Sequence, residues 1–188
     1  MTAADSGPGH RRQPIRSYVL RGGRITRAQR RALDELLPRW GLPFARAPLD
    51  LDAAFGRQAP RVLEIGFGDG SALVELAALR PETDFLGVEV HSPGIGHCLL
   101  EIAARNLTNI RLIAHDAVEV LAEQIPPASL DQVLLYFPDP WPKKRHHKRR
   151  ILQPTFAAVA ADRLRVGGVF RLATDWQPYA LQMLEVLD

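Results

Sequence analysis

Five short apolar runs, each followed by a stretch of helical spacing, constrain this chain more than any other feature. They are RVLEI at 61–65, FLGVEV at 85–90, IRLIA at 110–114, DQVLLYF at 131–137 and VFRLA at 169–173. None shows the strict polar–apolar alternation of a strand with one wet face. Each therefore reads as a strand covered on both sides. Strands separated by helices pair in parallel, so the expected fold is α/β, a doubly wound and mostly parallel sheet. Helices are expected over 69–79, from Ser92-Pro93 to about 106, from a capping box at 116–119, over 151–165 and over 178–187. A first helix starts at the Thr26…Gln29 capping box and is expected to end at Pro38. Residues 41–60 read as loop. The division expected is a disordered tail at 1–14, an N-terminal basic segment and helix at 15–60, and a ligand-binding domain at 61–188.

In a sheet of this kind, ligands sit beyond the carboxyl ends of the strands. The loop after the first strand is Glu64-Ile65-Gly66-Phe67-Gly68-Asp69-Gly70. Its glycines let the backbone approach a ligand closely. A dinucleotide fingerprint would need a third glycine at 71, which is Ser71, and Glu64 and Asp69 would repel a pyrophosphate. A nucleoside carrying a cationic amino-acid end suits two acids better, although an ordinary tight turn would leave the same trace. Glu89 ends the second strand, where a carboxylate accepts from ribose hydroxyls. Asp116 follows the third, either as a helix cap, as an acceptor for an adenine amino group, or as both. Asp139 follows the fourth, in a loop stiffened by Pro138, Pro140 and Pro142. Trp141 could stack on a base or pack under that loop.

Charge is distributed unevenly. Net charge is +3 for 188 residues. Residues 10–31 hold eight Lys/Arg and 143–150 hold six, with no Asp or Glu in either window. The remaining chain is acidic. Two basic stretches on an acidic body suggest a polyanion held at a defined place. One cysteine excludes an internal disulfide and a cysteine-built zinc site, and no metal is expected. There is neither a secretory h-region nor a run long enough to span a bilayer, so no membrane partner and a cytoplasmic location are expected.

Four stretches together resemble the bacterial tRNA (guanine-N7-)-methyltransferase family, within the class I S-adenosylmethionine-dependent methyltransferases. They are Leu63-Glu-Ile-Gly-Phe-Gly-Asp-Gly70, Gly87-Val-Glu-Val-His-Ser-Pro-Gly94, Phe137-Pro-Asp-Pro-Trp-Pro-Lys-Lys-Arg-His-His-Lys-Arg-Arg150 and Ala173-Thr-Asp-Trp-Gln-Pro-Tyr179. The likeness runs from about residue 16 to the end. It implies a Rossmann-like fold and transfer of a methyl group from S-adenosylmethionine to N7 of guanine 46 in the variable loop of tRNA. By resemblance, Glu64, Gly66, Gly68, Glu89 and Asp116 hold the cofactor. Asp139 is the catalytic acid and also a cofactor contact. Lys143 and Asp175 hold the substrate, and His146, Arg149 and Arg24 face the tRNA. Family members continue into a further strand pair, so a chain lacking it is expected to show an exposed sheet edge and to be of doubtful activity. A monomer is expected, with a dimer as the alternative. Two other functions fit the same fold: a methyltransferase acting on another base atom, and an RNA-binding protein with little activity.

Overall fold

The computed structural model describes residues 16–19 and 23–188. The tail at 1–14 and Arg21 lie outside the described residues. Five strands form one parallel sheet in the order β3-β2-β1-β4-β5. They are β1 (Arg61–Ile65), β2 (Asp84–Glu89), β3 (Ile110–Ala114), β4 (Leu130–Tyr136) and β5 (Leu164–Ala173). The order reverses between β1 and β4, which opens a crevice at their carboxyl ends. The helices are α1 (Arg27–Glu35), α2 (Leu37–Trp40), α3 (Leu51–Phe55), α4 (Ser71–Leu79), α5 (Ser92–Ala104), α6 (Ala117–Glu119), α7 (Pro154–Arg163) and α8 (Gln177–Leu187).

Strands β1–β4 are covered on both faces, as their unbroken apolar runs require, whereas β5 has no buried residue and exposes Val169 and Arg171, so the expectation of two covered faces fails for 169–173. Val62, Phe85, Ile110, Leu112 and Leu134 pack with α4 and α5 through Leu73, Val74, Leu99 and Ile102. Leu63, Ile65, Val88, Val133 and Leu135 face the other way, onto Phe156, Ala160, Tyr179 and Met183 of α7 and α8. Neighbouring residues of one strand thus enter different cores, the period-2 geometry of a pleated strand. Residues 23–60 share these cores: Ala32 and Trp40 join the first, Leu51 the second. α1 rests on α5 at Gly96, where a Cβ would lie 2.8 Å from the Gln29 carbonyl oxygen.

Several boundaries differ from expectation. The first helix stops at Glu35, with Leu36 as its C-cap, and Pro38 sits in the first turn of α2 instead of ending a helix. Proline is tolerated there because a first-turn N–H has no partner within the helix. Residues 41–60 contain α3, capped by Asp50, whose side chain accepts from the Ala53 N–H. The capping box at 116–119 is half made. Asp116 Oδ1 accepts from Val118 N–H, while Glu119 turns to His115 Nε2 at 2.5 Å. Beyond α6 the chain widens into a π-helical turn at Val120–Gln124. β5 starts earlier than expected, at Leu164, and its pairing with β4 shifts register between Leu130 and Gln132.

Among the described residues β5 pairs with β4 alone and forms one edge of the sheet. Val166 is fully exposed on it, and Leu181, Leu184 and Leu187 are exposed on α8. No described helix is long and apolar enough to cross a membrane.

Candidate active site

β1 aims the glycine loop at the crevice. Gly66, Gly68 and Gly70 all have positive φ, of 69°, 62° and 80°. At Gly66 and Gly68 a Cβ would meet nothing within 4 Å, so these turns face open space. Gly70 differs, because a Cβ there would lie 2.4 Å from Cys98 Sγ. Positive φ favours glycine at all three positions, and only Gly70 adds a close contact with the helix behind.

Glu64 lies on β1 on the α4–α5 face, 5% exposed, and its buried Oε2 has no hydrogen-bond partner. Burial pushes its carboxyl up to about 7. A buried orphan acid beside an open glycine cradle fits a ligand with a cationic end, which would supply the missing partner. Glu89 ties the first two loops together. Its Oε2 accepts from Gly68 N–H at 2.9 Å, and Oε1 accepts from the N–H groups of Val90 and His91 at 2.6 and 3.0 Å. Asp116 gives one oxygen to its helix cap and the other to Arg16, whose Nη1 donates to Oδ2 at 2.8 Å. Cys98 lies close to Glu64 and Asp69; burial above all pushes its thiol up to about 12, so it stays protonated and is no nucleophile.

A cleft of about 230 Å³ spans the strand ends, lined by Gly66, Glu89, Asp116 and Asp139 together with Ser17 and Tyr18. Three acids that follow three different strands therefore share one cavity. Asp139 is exposed to it. Phe137 and Trp141, on either side of the Pro-Asp-Pro turn, have φ of 48° and 45°. Positive φ is strained for an aromatic residue, and such strain persists only where the surroundings impose it. The impositions are visible. Phe137 N–H donates to the Ala173 carbonyl at 2.8 Å. Trp141 Nε1 donates to the Ser17 carbonyl at 3.1 Å. Arg150, 2% exposed, donates from Nε to the Pro140 carbonyl at 2.8 Å and from Nη1 to Gln182 Oε1 at 2.5 Å. Trp141 is thus packed under the loop, beneath the Arg149 guanidinium at 4.0 Å.

The basic run folds into a 3₁₀ helix at Lys144–Arg149, which the sequence did not suggest. Lys143, Lys144, Arg145 and Lys148 are exposed, whereas Arg149 is half-buried and Arg150 buried. His146 accepts from Arg145 Nε at 3.3 Å through Nε2. It titrates below the ordinary histidine range, through desolvation first and then through Arg145, Lys143, Arg149 and Lys148. Asp175 is exposed in the loop between β5 and α8, outside the cleft lining. Arg24 is exposed just before α1, next to Gly23, which approaches His91 and Pro93 of the loop after β2. Among the described residues no cluster of three or more His, Cys, Asp or Glu could hold a metal ion.

Sequence reasoning missed two parts of the cleft. Residues 17–18 line it from far away in the chain; they fall within the stretch of resemblance, which assigns them no role in the cleft. Phe137 lines it too and is 67% exposed. The apolar run reads as strand through Phe137, but β4 stops at Tyr136 and Phe137 leaves the extended conformation with a φ of 48°.

Comparison with known proteins places these features in a group. Residues 58–188 match a family described as a putative methyltransferase. A Burkholderia mallei (strain ATCC 23344) protein named tRNA (guanine-N(7)-)-methyltransferase is 59% identical over 184 residues, covering 98% of this chain and 69% of that protein. One of the same name from Alkalilimnicola ehrlichii is 57% identical over 187 residues, covering 98% and 78%. Among solved structures, an antibiotic-related methyltransferase superposes with a TM-score of 0.53 at 18% identity, over 73% of this chain and 71% of that one. The precorrin-6y C5,15-methyltransferase of Geobacter metallireducens GS-15 gives 0.55 at 17%, over 84% and 66%. At these identities the two structures speak to the fold alone.

Proposed function

Because the chain belongs to the tRNA (guanine-N(7)-)-methyltransferase family, we propose that it transfers the methyl group of S-adenosylmethionine to N7 of a guanine in tRNA. Guanine 46 of the variable loop is the position proposed, with the cytoplasm as the place of action and a single chain as the working unit. The observation that carries this reading is the cleft in which Glu89, Asp116 and Asp139 converge beside four exposed cations of the basic run.

Each group has a chemical task. Glu64 would balance the ammonium of the donor, Glu89 would accept from its ribose and Asp116 from its adenine amino group. Gly66 and Gly68 leave room for it. The donor supplies an electrophilic methyl on a sulfonium. N7 of guanine carries a lone pair and no proton, so no base is needed to free the nucleophile. As the N–C bond forms and the C–S bond breaks, positive charge moves into the purine. A fixed carboxylate at 139 favours that charge, more strongly where water is excluded. It also accepts from the donors of guanine's Watson–Crick edge, which adenine lacks at N1, and so orients the base. Asp175 would assist from the next loop and Lys143 from the basic run. Phe137, exposed at the rim, offers a face on which an extruded base can stack. Lys144, Arg145 and Lys148, with Arg24, would hold the ribose–phosphate strand by salt-sensitive attraction, and His146 would donate a hydrogen bond to it.

Transfer of labelled methyl to unmodified tRNA, followed by chain cleavage at N7-methylguanine, tests the reading. Label and cleavage at guanine 46 are expected. Label on another atom, or none, would overturn it.

A further inference from the structure

Arg149 closes a basic run, yet its guanidinium faces the protein. Nε donates to the Arg16 carbonyl at 3.0 Å and a terminal N–H to the Tyr18 carbonyl at 3.1 Å. Trp141 Nε1 donates to the carbonyl between them, that of Ser17, at 3.1 Å. Three consecutive carbonyls are therefore held by two side chains from the loop after β4. The Arg149 guanidinium also lies on the Trp141 ring, 4.0 Å from its centroid. Stacking and a two-pronged grip use the planar fork of arginine, which lysine lacks. On the far side of the segment, Arg16 Nη1 reaches Asp116 Oδ2 and the Tyr18 hydroxyl, each at 2.8 Å. Ser17 and Tyr18 line the cleft. Residues 16–18 have no helix or strand of their own. They form a wall strung between the acid after β3 and the loop that carries Asp139.

We propose that Arg149 is a positioning residue for the S-adenosylmethionine cleft: with Trp141 it pins residues 16–18 as a wall of that cleft, and it does not bind tRNA phosphate. The proposal rests on the reading of the cleft given above. Its physical basis is ordering. A released segment samples many conformations, and donor binding must then select the few that rebuild the wall. The apparent affinity falls by the fraction of time the wall is in place. The run then divides by task. Lys143, Lys144, Arg145 and Lys148 face outward for the nucleic acid, while its last two arginines face inward. Arg149 holds the wall, and Arg150 holds the Pro140 carbonyl.

Two measurements on the full chain separate this role from a phosphate contact. The first is calorimetric titration with S-adenosylmethionine in the absence of tRNA. The second is tRNA affinity across a salt series. In Arg149→Ala the S-adenosylmethionine Kd should rise about tenfold, the loss expected if the wall is in place a tenth of the time. Arg149→Lys, which keeps the charge without the fork, should behave similarly. Trp141→Phe keeps a ring under the guanidinium and removes one hydrogen bond, so a smaller rise in the same direction is expected even if Arg149→Ala folds poorly. The slope of log affinity against log salt should match that of the wild type in all three. A slope shallower by about one in Arg149→Ala marks a lost phosphate contact and overturns the proposal. So does an unchanged S-adenosylmethionine Kd in all three variants when the wild type binds. A wild-type chain that does not bind S-adenosylmethionine overturns the functional reading itself.

Discussion

Glu64 shows how a single residue ties stability to ligand binding. Its carboxyl is buried, one oxygen is unpartnered, and its folded value is raised to about 7 from an ordinary 4.5. Between those values the folded chain holds more protons than the unfolded one. Stability of the unliganded protein should therefore fall as pH rises from about 4.5 to 7 and level off above. The full effect is on the order of 3 kcal/mol. Glu64→Gln should remove that slope in denaturant titrations and leave the unliganded protein more stable at pH 8. The same residue must be ionised to meet an ammonium. S-adenosylmethionine affinity should accordingly rise as pH climbs through about 7 in the wild type and show no such rise in Glu64→Gln. Opposite slopes for stability and affinity are the signature to look for, and parallel slopes would remove Glu64 from the donor site. His146 behaves differently. Its value is depressed by desolvation and then by its cationic neighbours, so it is neutral near pH 7 and gains a proton only in more acidic solution. Affinity for tRNA should rise in acid by more than the Lys and Arg residues explain, and His146→Ala should abolish that extra rise.

At the scale of elements, the sheet and its loops are held in register by close backbone approaches. Gly94, in the first turn of α5, is the tightest: a Cβ there would lie 2.0 Å from the Gly68 carbonyl oxygen. The helix that follows Glu89 thus abuts the glycine loop after β1. Gly94→Ala should cost about 1–3 kcal/mol, as other overpacked sites do, and should also push the loop out of place. Thermal melts with and without S-adenosylmethionine separate the two effects, because the variant should lose much of the ligand-induced rise in Tm as well as baseline stability. Most of these elements were legible in the sequence. Strands buried on both faces leave continuous apolar runs, and β1, β2, β3 and β4 fall within one residue of their expected positions. α3 was missed because five residues between prolines and glycines leave no periodicity, and Asp50 as its cap reads equally as a loop residue. Pro38 misled for a related reason, since proline marks a helix start as well as a helix end.

For the whole molecule, charge is sorted by direction. Arginines of one run look alike in sequence, but Arg149 turns to carbonyls 133 and 131 residues away and Arg150 to the loop holding Asp139. Distant partners of that kind leave no local trace. This is why the run as a whole reads as a nucleic-acid contact, and why the wall at 16–18 stayed hidden. The three cleft acids were legible because each follows a strand at the carboxyl edge, where the topology forces loops together. Removing one outward cation should show the sorting directly. Lys144→Ala should weaken tRNA binding at every sequence, flatten its salt slope by about one, and leave S-adenosylmethionine affinity as it was.

The most direct trial of the whole account is single-turnover methyl transfer by Asp139→Asn, with S-adenosylmethionine and tRNA affinities measured on the same protein. Asparagine keeps the size of the side chain and loses its charge. The account predicts a rate reduced about 100-fold or more, the scale of removing one preorganised electrostatic group, with both affinities within a few-fold of wild type. A rate close to wild type would contradict it.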